Sequence, residues 1–322
     1  MLVNTARFLV SLLILLPALP AEAAGPGDHP VEVGPASYLR DIDDGLKVSK
    51  RTGKPVFAFF QEVPGCAGCQ TFGKTVMSHP SIVAAVESEF VPVLIHNNSR
   101  GKDAATLERF GEPSWNYQVI RFLDASGKDL IPRKDRVWTL DALAPRMAEA
   151  LRVAKRSVPG YLQALIHEGG RARHAKAAFA QHCYWTGEAQ LGRLDGVITT
   201  EAGWLEGREV TLVTYDPKQL PLKTLVERAV AANVADKVYL PAGTKQRGSV
   251  RDVPVGELDR GYSRARDSDQ KRQVRGTPLA ELELSPMQQT KVNAFARVDR
   301  KQAMSWLTPE QRAELKRHSA RR

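Results

Sequence analysis

The feature that most constrains this chain is an apolar run, Pro55 to Phe60 (PVFAFF), with two cysteines just beyond it at Cys66 and Cys69. Gly53 bounds the run on one side and Glu62-Val63-Pro64-Gly65 on the other, so it reads as a buried strand. A helix is expected over 67–77. Two thiols three residues apart at a helix start can close a disulfide without moving the backbone. The first of them meets the orphan amides and the positive end of the helix dipole, which stabilise a thiolate. The spacing alone admits a redox pair, a structural disulfide or half of a metal site. The strand–CxxC–helix context favours the redox pair, with Cys66 attacking and Cys69 resolving. No second CxxC and no nearby histidine pair supplies further zinc ligands, and the seven histidines follow no H-x3-H or HExxH spacing. No metal site and no cofactor is expected.

Further elements follow in order. A helix is expected at 79–90, with apolar positions 82, 83, 86 and 90, then a strand at 91–96 (VPVLIH) and a helix at 102–111. A hairpin is expected from VIRFLDAS through a turn at Gly127 to DLIPR, then a helix at 139–156. This order, βαβαββα with CxxC between the first strand and its helix, is a thioredoxin-like arrangement. Residues 36–157 resemble a thioredoxin-like domain. The string Val63-Pro64-Gly65-Cys66-Ala67-Gly68-Cys69 resembles the thioredoxin-like selenoproteins named for a V-P-G-U-x-x-T motif. The resemblance implies that Cys66, at the selenocysteine position, is the nucleophile. Cys69 replaces the family's threonine and adds a resolving thiol. Gly65 stands where thioredoxins usually carry tryptophan, and Phe60 lies near the place of their buried acid. No proline directly precedes VIRFLD, and Pro113 lies too far upstream to serve as the cis-proline that docks substrate.

A short linker at Ser157–Gly160 separates a second half. The next stretch, 161–180, reads as a basic helix broken at Gly169-Gly170. Then comes His182-Cys183-Tyr184-Trp185-Thr186-Gly187-Glu188, followed by Asp195-Gly196-Val197, Thr199-Thr200, Ala202-Gly203-Trp204, Arg208-Glu209-Val210 and Tyr215-Asp216-Pro217. These strings resemble methionine sulfoxide reductase A. The resemblance implies that Cys183 is a nucleophile, that Tyr184 and Trp185 (with Trp204) cradle the substrate methyl group, and that Glu209 donates a proton. Asp269, in Asp269-Gln270-Lys271-Arg272-Gln273-Val274-Arg275, takes the place of the family's aspartate. Two tyrosines of that family are missing: one falls in a deletion between Trp204 and Arg208, and the other is replaced by Val274. A thiolate would attack a sulfoxide sulfur, an acid would protonate the departing oxygen, and an aromatic wall suits a thioether methyl. The resulting sulfenic acid needs a second thiol. No cysteine follows Cys183, so Cys66 or Cys69 is the expected reductant.

Composition bounds the rest. The 322 residues are 43% hydrophobic and 25% charged, enough for packed cores in two domains. Three cysteines exclude a disulfide-stapled fold. Residues 1–24 carry Arg7, a short apolar stretch from Phe8 to Leu19 and an Ala21-Glu22-Ala23 cleavage pattern, which together read as a secretory signal peptide. Its length is too short for a membrane span. A periplasmic or secreted protein is expected, where cysteines can be oxidised. The net charge is +10, and residues 241–322 hold 18 basic against 10 acidic residues. No recognition motif accompanies this charge, so a solvated basic face is expected and no nucleic-acid partner. Residues 241–280 read as largely loop, Trp306 as core, and the final KRHSARR as a frayed tail.

The expected fold class is thus α/β and α+β. A thioredoxin-like domain (25–157) precedes a methionine sulfoxide reductase A-like domain with a ferredoxin-like core (158–322), whose C-terminal part is divergent and basic. The expected function is an exported thiol–disulfide oxidoreductase. It supports reduction of methionine sulfoxide through Cys183, with the Cys66–Cys69 pair as reductant. Its partners would be exported proteins with disulfides or oxidised methionine, and a membrane or periplasmic electron donor. The alternatives are a redox domain carrying a non-catalytic recognition module, and a thiol-based copper carrier.

Overall fold

The computed structural model describes residues 29–115, 118–170, 173–251 and 253–321. The expected export signal at 1–24 lies outside them. Among the described residues no helix is long and apolar enough to cross a membrane.

The first half is built on strand β1 (Val56–Gln61), every residue of which is buried. It is the middle strand of a three-stranded sheet, pairing parallel with β2 (Val91–His96) and antiparallel with β3 (Val119–Leu123). Alternation sends Phe57 and Phe59 to one core and Val56, Ala58 and Phe60 to the other. Phe57 meets Phe59, Phe90 and Phe122 edge-on, at centroid separations of 5.7–6.3 Å. Helix α1 (Ile42–Thr52) precedes β1, capped by the Asp41 carboxylate and closed by Gly53 in the left-handed region.

The helix expected over 67–77 is α2 (Ala67–Phe72) running into one π turn at 73–77. The chain at Val31 crosses this turn so closely that a Cβ on Gly73 would clash with the Val31 carbonyl oxygen. Then come α3 (Pro80–Glu89), α4 (Lys102–Phe110) and α5 (Leu140–Val153). The expected hairpin after β3 forms with its turn at Gly127, the Asp124 amide donating to the Lys128 carbonyl and the Leu130 amide to the Phe122 carbonyl around one bridge between Leu123 and Asp129. Arg121 ties this turn down further by pairing with Asp129 and Glu112, and Arg133 pairs with Glu112.

In the second half, 161–180 is not one broken helix. α6 (Gly160–Gly169) is followed by strand β4 (Ala175–Ala180), whose Ala and Phe side chains fit a strand gripped on both sides. The order continues through α7 (Tyr184–Gly192), β5 (Val197–Leu205), β6 (Arg208–Tyr215), α8 (Leu222–Ala231) and β7 (Lys237–Leu240). This βαββαβ run pairs as β7-β4-β6-β5, all antiparallel, which is the ferredoxin-like order. Short strands β8 (Val255–Glu257) and β9 (Ser263–Arg264) extend the two edges of an otherwise loop-rich 241–280. Helices α9 (Pro286–Phe295), α10 (Arg300–Ser305) and α11 (Pro309–Ala320) complete the chain. The expected frayed tail is helical to Ala320, because Thr308 and Gln311 form a capping box and Leu315 is buried.

α6 joins the two halves by packing. Its Tyr161 and Leu162 enter the first core, while Ala164 belongs with Ile198, Trp306 and Leu307 of the second. A Cβ on Gly160 would stand 2.7 Å from Trp306 Cδ2 and 2.9 Å from the Ser305 carbonyl oxygen. Gly160→Ala must therefore push α6 and α10 apart, at about 1–3 kcal/mol. The expected readout is a lower thermal midpoint with faster protease cleavage between α5 and α6. An unchanged midpoint and cleavage rate would mean that the junction is loose.

Candidate active site

β1 delivers the chain to the cysteine pair through a loop held from two sides. Gln61 at its end is buried and donates through Nε2 to the Glu32 carbonyl at 2.9 Å. The Gly65 amide donates to Glu32 Oε1 at 2.9 Å. Asn98 accepts from the Val63 amide and donates to the Pro64 carbonyl. The Val63–Pro64 peptide bond is cis. Glycine at 65 is a packing requirement, since a Cβ there would stand 2.6 Å from Cys69 Cβ and 2.4 Å from the Glu62 carbonyl oxygen.

Cys66 is the N-cap of α2, with extended backbone and an exposed side chain. Cys69 lies one turn in and is fully buried. Their sulfurs are 3.3 Å apart, and the Cys69 thiol lies 3.7 Å from Glu62 Oε2. The two thiols are driven in opposite directions. The Cys69 amide and thiol, with the Gly68 amide, donate toward Cys66 Sγ and hold its pKa below the ordinary thiol value. Burial, and then the hydrogen bond to Cys66, push Cys69 up to about 12. An exposed, acidified thiol beside a buried, protonated one is the asymmetry that separates attack from resolution. The same two sulfurs and a Glu62 carboxylate oxygen all lie within 4.8 Å of one another, so this trio could also hold a metal ion.

The second set of expected residues converges at the end of β4. Cys183, half-buried, is the N-cap of α7. The Tyr184 amide, one of the orphan donors of that helix start, donates to Glu209 Oε2 at 2.8 Å. The Tyr184 ring meets Trp185 at 5.6 Å and Trp204 at 5.8 Å, both edge-on. Burial, then the charges of Asp269, Glu209 and Cys183, raise the Tyr184 hydroxyl pKa. Asp269 joins through its backbone, whose carbonyl accepts from Trp185 Nε1 at 2.8 Å, and the Arg272 guanidinium lies 4.8 Å over the Trp185 ring. Cys183, Tyr184, Trp185, Trp204, Glu209 and Asp269 thus share one corner. Val274 is buried away in the neighbouring apolar cluster.

A buried ion pair, which sequence reasoning does not single out, holds this corner together. Glu188 of α7 is fully buried and accepts from Lys271 Nζ at 2.6 Å and from the Lys271 amide at 2.9 Å. Gln270 is laced to both backbone groups of Ala202 on β5. These bonds pin 269–271 to the sheet and so place the Asp269 carbonyl. Three residues at the first pair also escape sequence reasoning. Glu62 carries a signal, an acid between a buried strand and CxxC, whereas Glu32 and Gln118 lie more than thirty residues from the motif and carry none.

The family described as thioredoxin-like matches residues 37–125. A solved structure, a DsbH oxidoreductase, is similar at 15% identity with a TM-score of 0.31, covering 41% of this chain and 95% of that one. No curated protein matches. The first half is thus a thioredoxin-like domain, followed by a further α/β domain, as the sequence led one to expect.

Two outcomes follow from the geometry. Iodoacetamide should alkylate Cys66 with a pH midpoint below that of a free thiol, while Cys69 stays protonated and slow up to about pH 12. Because the Cys66 pKa is lowered on folding, its contribution to the stability of the reduced form is present above the free-thiol pKa and lost as pH falls through the folded value. Equal rates for the two thiols in a mass-spectrometric time course would contradict the asymmetry. Separately, Glu188→Ala leaves Lys271 without its buried partner and should cost about 3–5 kcal/mol in urea unfolding.

Proposed function

We propose that the chain is an exported thiol–disulfide oxidoreductase whose second domain is a methionine sulfoxide-reducing site served by the first. The observation that carries the redox reading is the asymmetric pair: Cys66 exposed and acidified, Cys69 buried and raised, sulfurs 3.3 Å apart. The Cys66 thiolate attacks one sulfur of a substrate disulfide. A mixed disulfide forms, the substrate S–S bond breaks, and one substrate thiol leaves. Cys69 then loses its proton, for which Glu62 at 3.7 Å is the nearby base, and attacks Cys66 Sγ. The second substrate thiol leaves, the substrate has gained two electrons, and the pair is oxidised. Turnover requires an external dithiol donor.

The sulfoxide reading is supported by the corner where Cys183, Glu209 and three aromatic rings meet. There the Cys183 thiolate attacks the sulfoxide sulfur, the oxygen is protonated and passes to Cys183, and a thioether and a sulfenic acid result. A Cys66 or Cys69 thiol condenses with the sulfenic acid, releasing water and leaving a disulfide. The junction at α6 is packed, so this transfer is not the swing of a free tether.

A single-turnover reaction of the reduced protein with peptide methionine-S-sulfoxide tests the reading. The expected result is methionine, together with a disulfide from Cys183 to Cys66 or Cys69 mapped by mass spectrometry. Cys183→Ser should abolish the methionine and leave Cys66–Cys69 exchange intact. No methionine from the unmodified protein, with exchange intact, would make the second domain a recognition module. Stoichiometric copper or zinc in the purified reduced protein would instead favour a metal carrier built on Glu62, Cys66 and Cys69.

A further inference from the structure

The corner around Cys183 carries a cation that the sulfoxide chemistry does not use. The segment 264–275 (RARDSDQKRQVR) closes this corner with five basic and two acidic residues. Three of the five cations are engaged. Arg264 pairs with Glu201 and Asp267, Lys271 pairs with the buried Glu188, and Arg275 donates to the Ser268 carbonyl. Arg266 is exposed and has no partner among the described residues. Arg272 is half-buried, its guanidinium 4.8 Å over the Trp185 ring, with no carboxylate and no hydrogen-bond acceptor among the described residues. Stacking holds the plane of a guanidinium but occupies none of its five N–H donors, which lie in that plane and match a carboxylate two at a time. The ring also restrains a long side chain in advance, so less freedom remains to be lost when a ligand is gripped. The acids of the corner limit where that ligand's charge can sit. Glu209 accepts from the Tyr184 amide, and Asp269 and Glu209 both act on the Tyr184 hydroxyl. A second anion is therefore repelled beside Cys183 and matched at Arg272, over Trp185.

We propose that Arg272 selects oxidised methionines that lie in acidic polypeptide segments. Its guanidinium takes the side-chain carboxylate of a residue flanking the methionine, while the sulfoxide itself faces Cys183. The carboxylate is thus held one side chain away from the reacting sulfur, clear of Glu209 and Asp269. Arg272 binds and takes no part in bond making. This inference rests on the sulfoxide-reducing reading of the second domain and adds its substrate class, a polypeptide rich in carboxylates rather than any methionine sulfoxide.

The test follows single turnover of the reduced full-length protein, below saturation, on three substrates. One is a peptide with methionine-S-sulfoxide between two glutamates, and one is the same peptide with glutamines in their place. The third is free methionine-S-sulfoxide, whose only carboxylate is on its α-carbon. The glutamate peptide should react about tenfold faster than the glutamine peptide, the worth of one charge-assisted contact, and high salt should erode that ratio. Arg272→Gln should bring the ratio down to about one. Arg266→Gln removes the other unpaired cation of the segment and should lower the ratio less than about twofold. Each ratio is taken within one protein, so a loss of folded material does not change it. A ratio near one in the unmodified protein, or a ratio that survives Arg272→Gln, overturns the inference and leaves the sulfoxide reading standing. An equal fall in Arg266→Gln overturns it too, since general charge would then account for the preference. Free methionine sulfoxide reacting faster than the glutamate peptide overturns the polypeptide class. No methionine from any substrate, with Cys66–Cys69 exchange intact, overturns the sulfoxide reading and this inference with it.

Discussion

Burial of β1 on both faces governs the first half of the molecule. A strand with no exposed residue must have partners on both edges and cores on both sides, and β2, β3 and the two phenylalanine-rich clusters supply them. The strand then has one direction in which to leave the sheet. Its exit carries the chain through Glu62–Gly65 into the first turn of α2, where Cys66 faces solvent and Cys69 faces the core. The opposed acidities of the two thiols follow from that placement. The strand's burial is therefore upstream of the chemistry, and the cysteines inherit their difference from it.

The second half rests on a different kind of constraint. Its sheet is antiparallel and closes four strands in ferredoxin-like order, but the corner around Cys183 is finished by a segment eighty residues later in the chain. Glu188, fully buried, and the partly buried Lys271 hold that segment down. Buried pairs of this kind add little net stability over an apolar alternative, and this one bonds both the side chain and the amide of Lys271. Positional specificity is its product.

Much of this is legible in the amino-acid order. The strand from Val91 to His96 reads off to the residue, and helices 80–89 and 102–110 read off to within one, because apolar spacing and the flanking glycines or prolines agree. The residues around the first cysteine pair lie in one compact string, whereas the corner around Cys183 draws Asp269 from more than eighty residues away. What is hidden depends on distant contacts. Residues 175–180 look helical until β6 and β7 are known to flank them. Val31 crosses the π turn after Phe72, and Gln118 meets the motif only across the fold. Spacing along a chain carries no trace of such crossings.

The junction at Gly160 has a temporal side. Trp306 and Ser305 lie against the first turn of α6, and α11 reaches back to α3 of the first half. During synthesis, β1 to β3 emerge long before these residues do. The first sheet can close on its own contacts, but the face of α6 that carries Gly160 and Ala164 is covered only once Ser305, Trp306 and Leu307 are in place. The two halves thus share a seam whose closure depends on residues almost 150 positions apart in the chain.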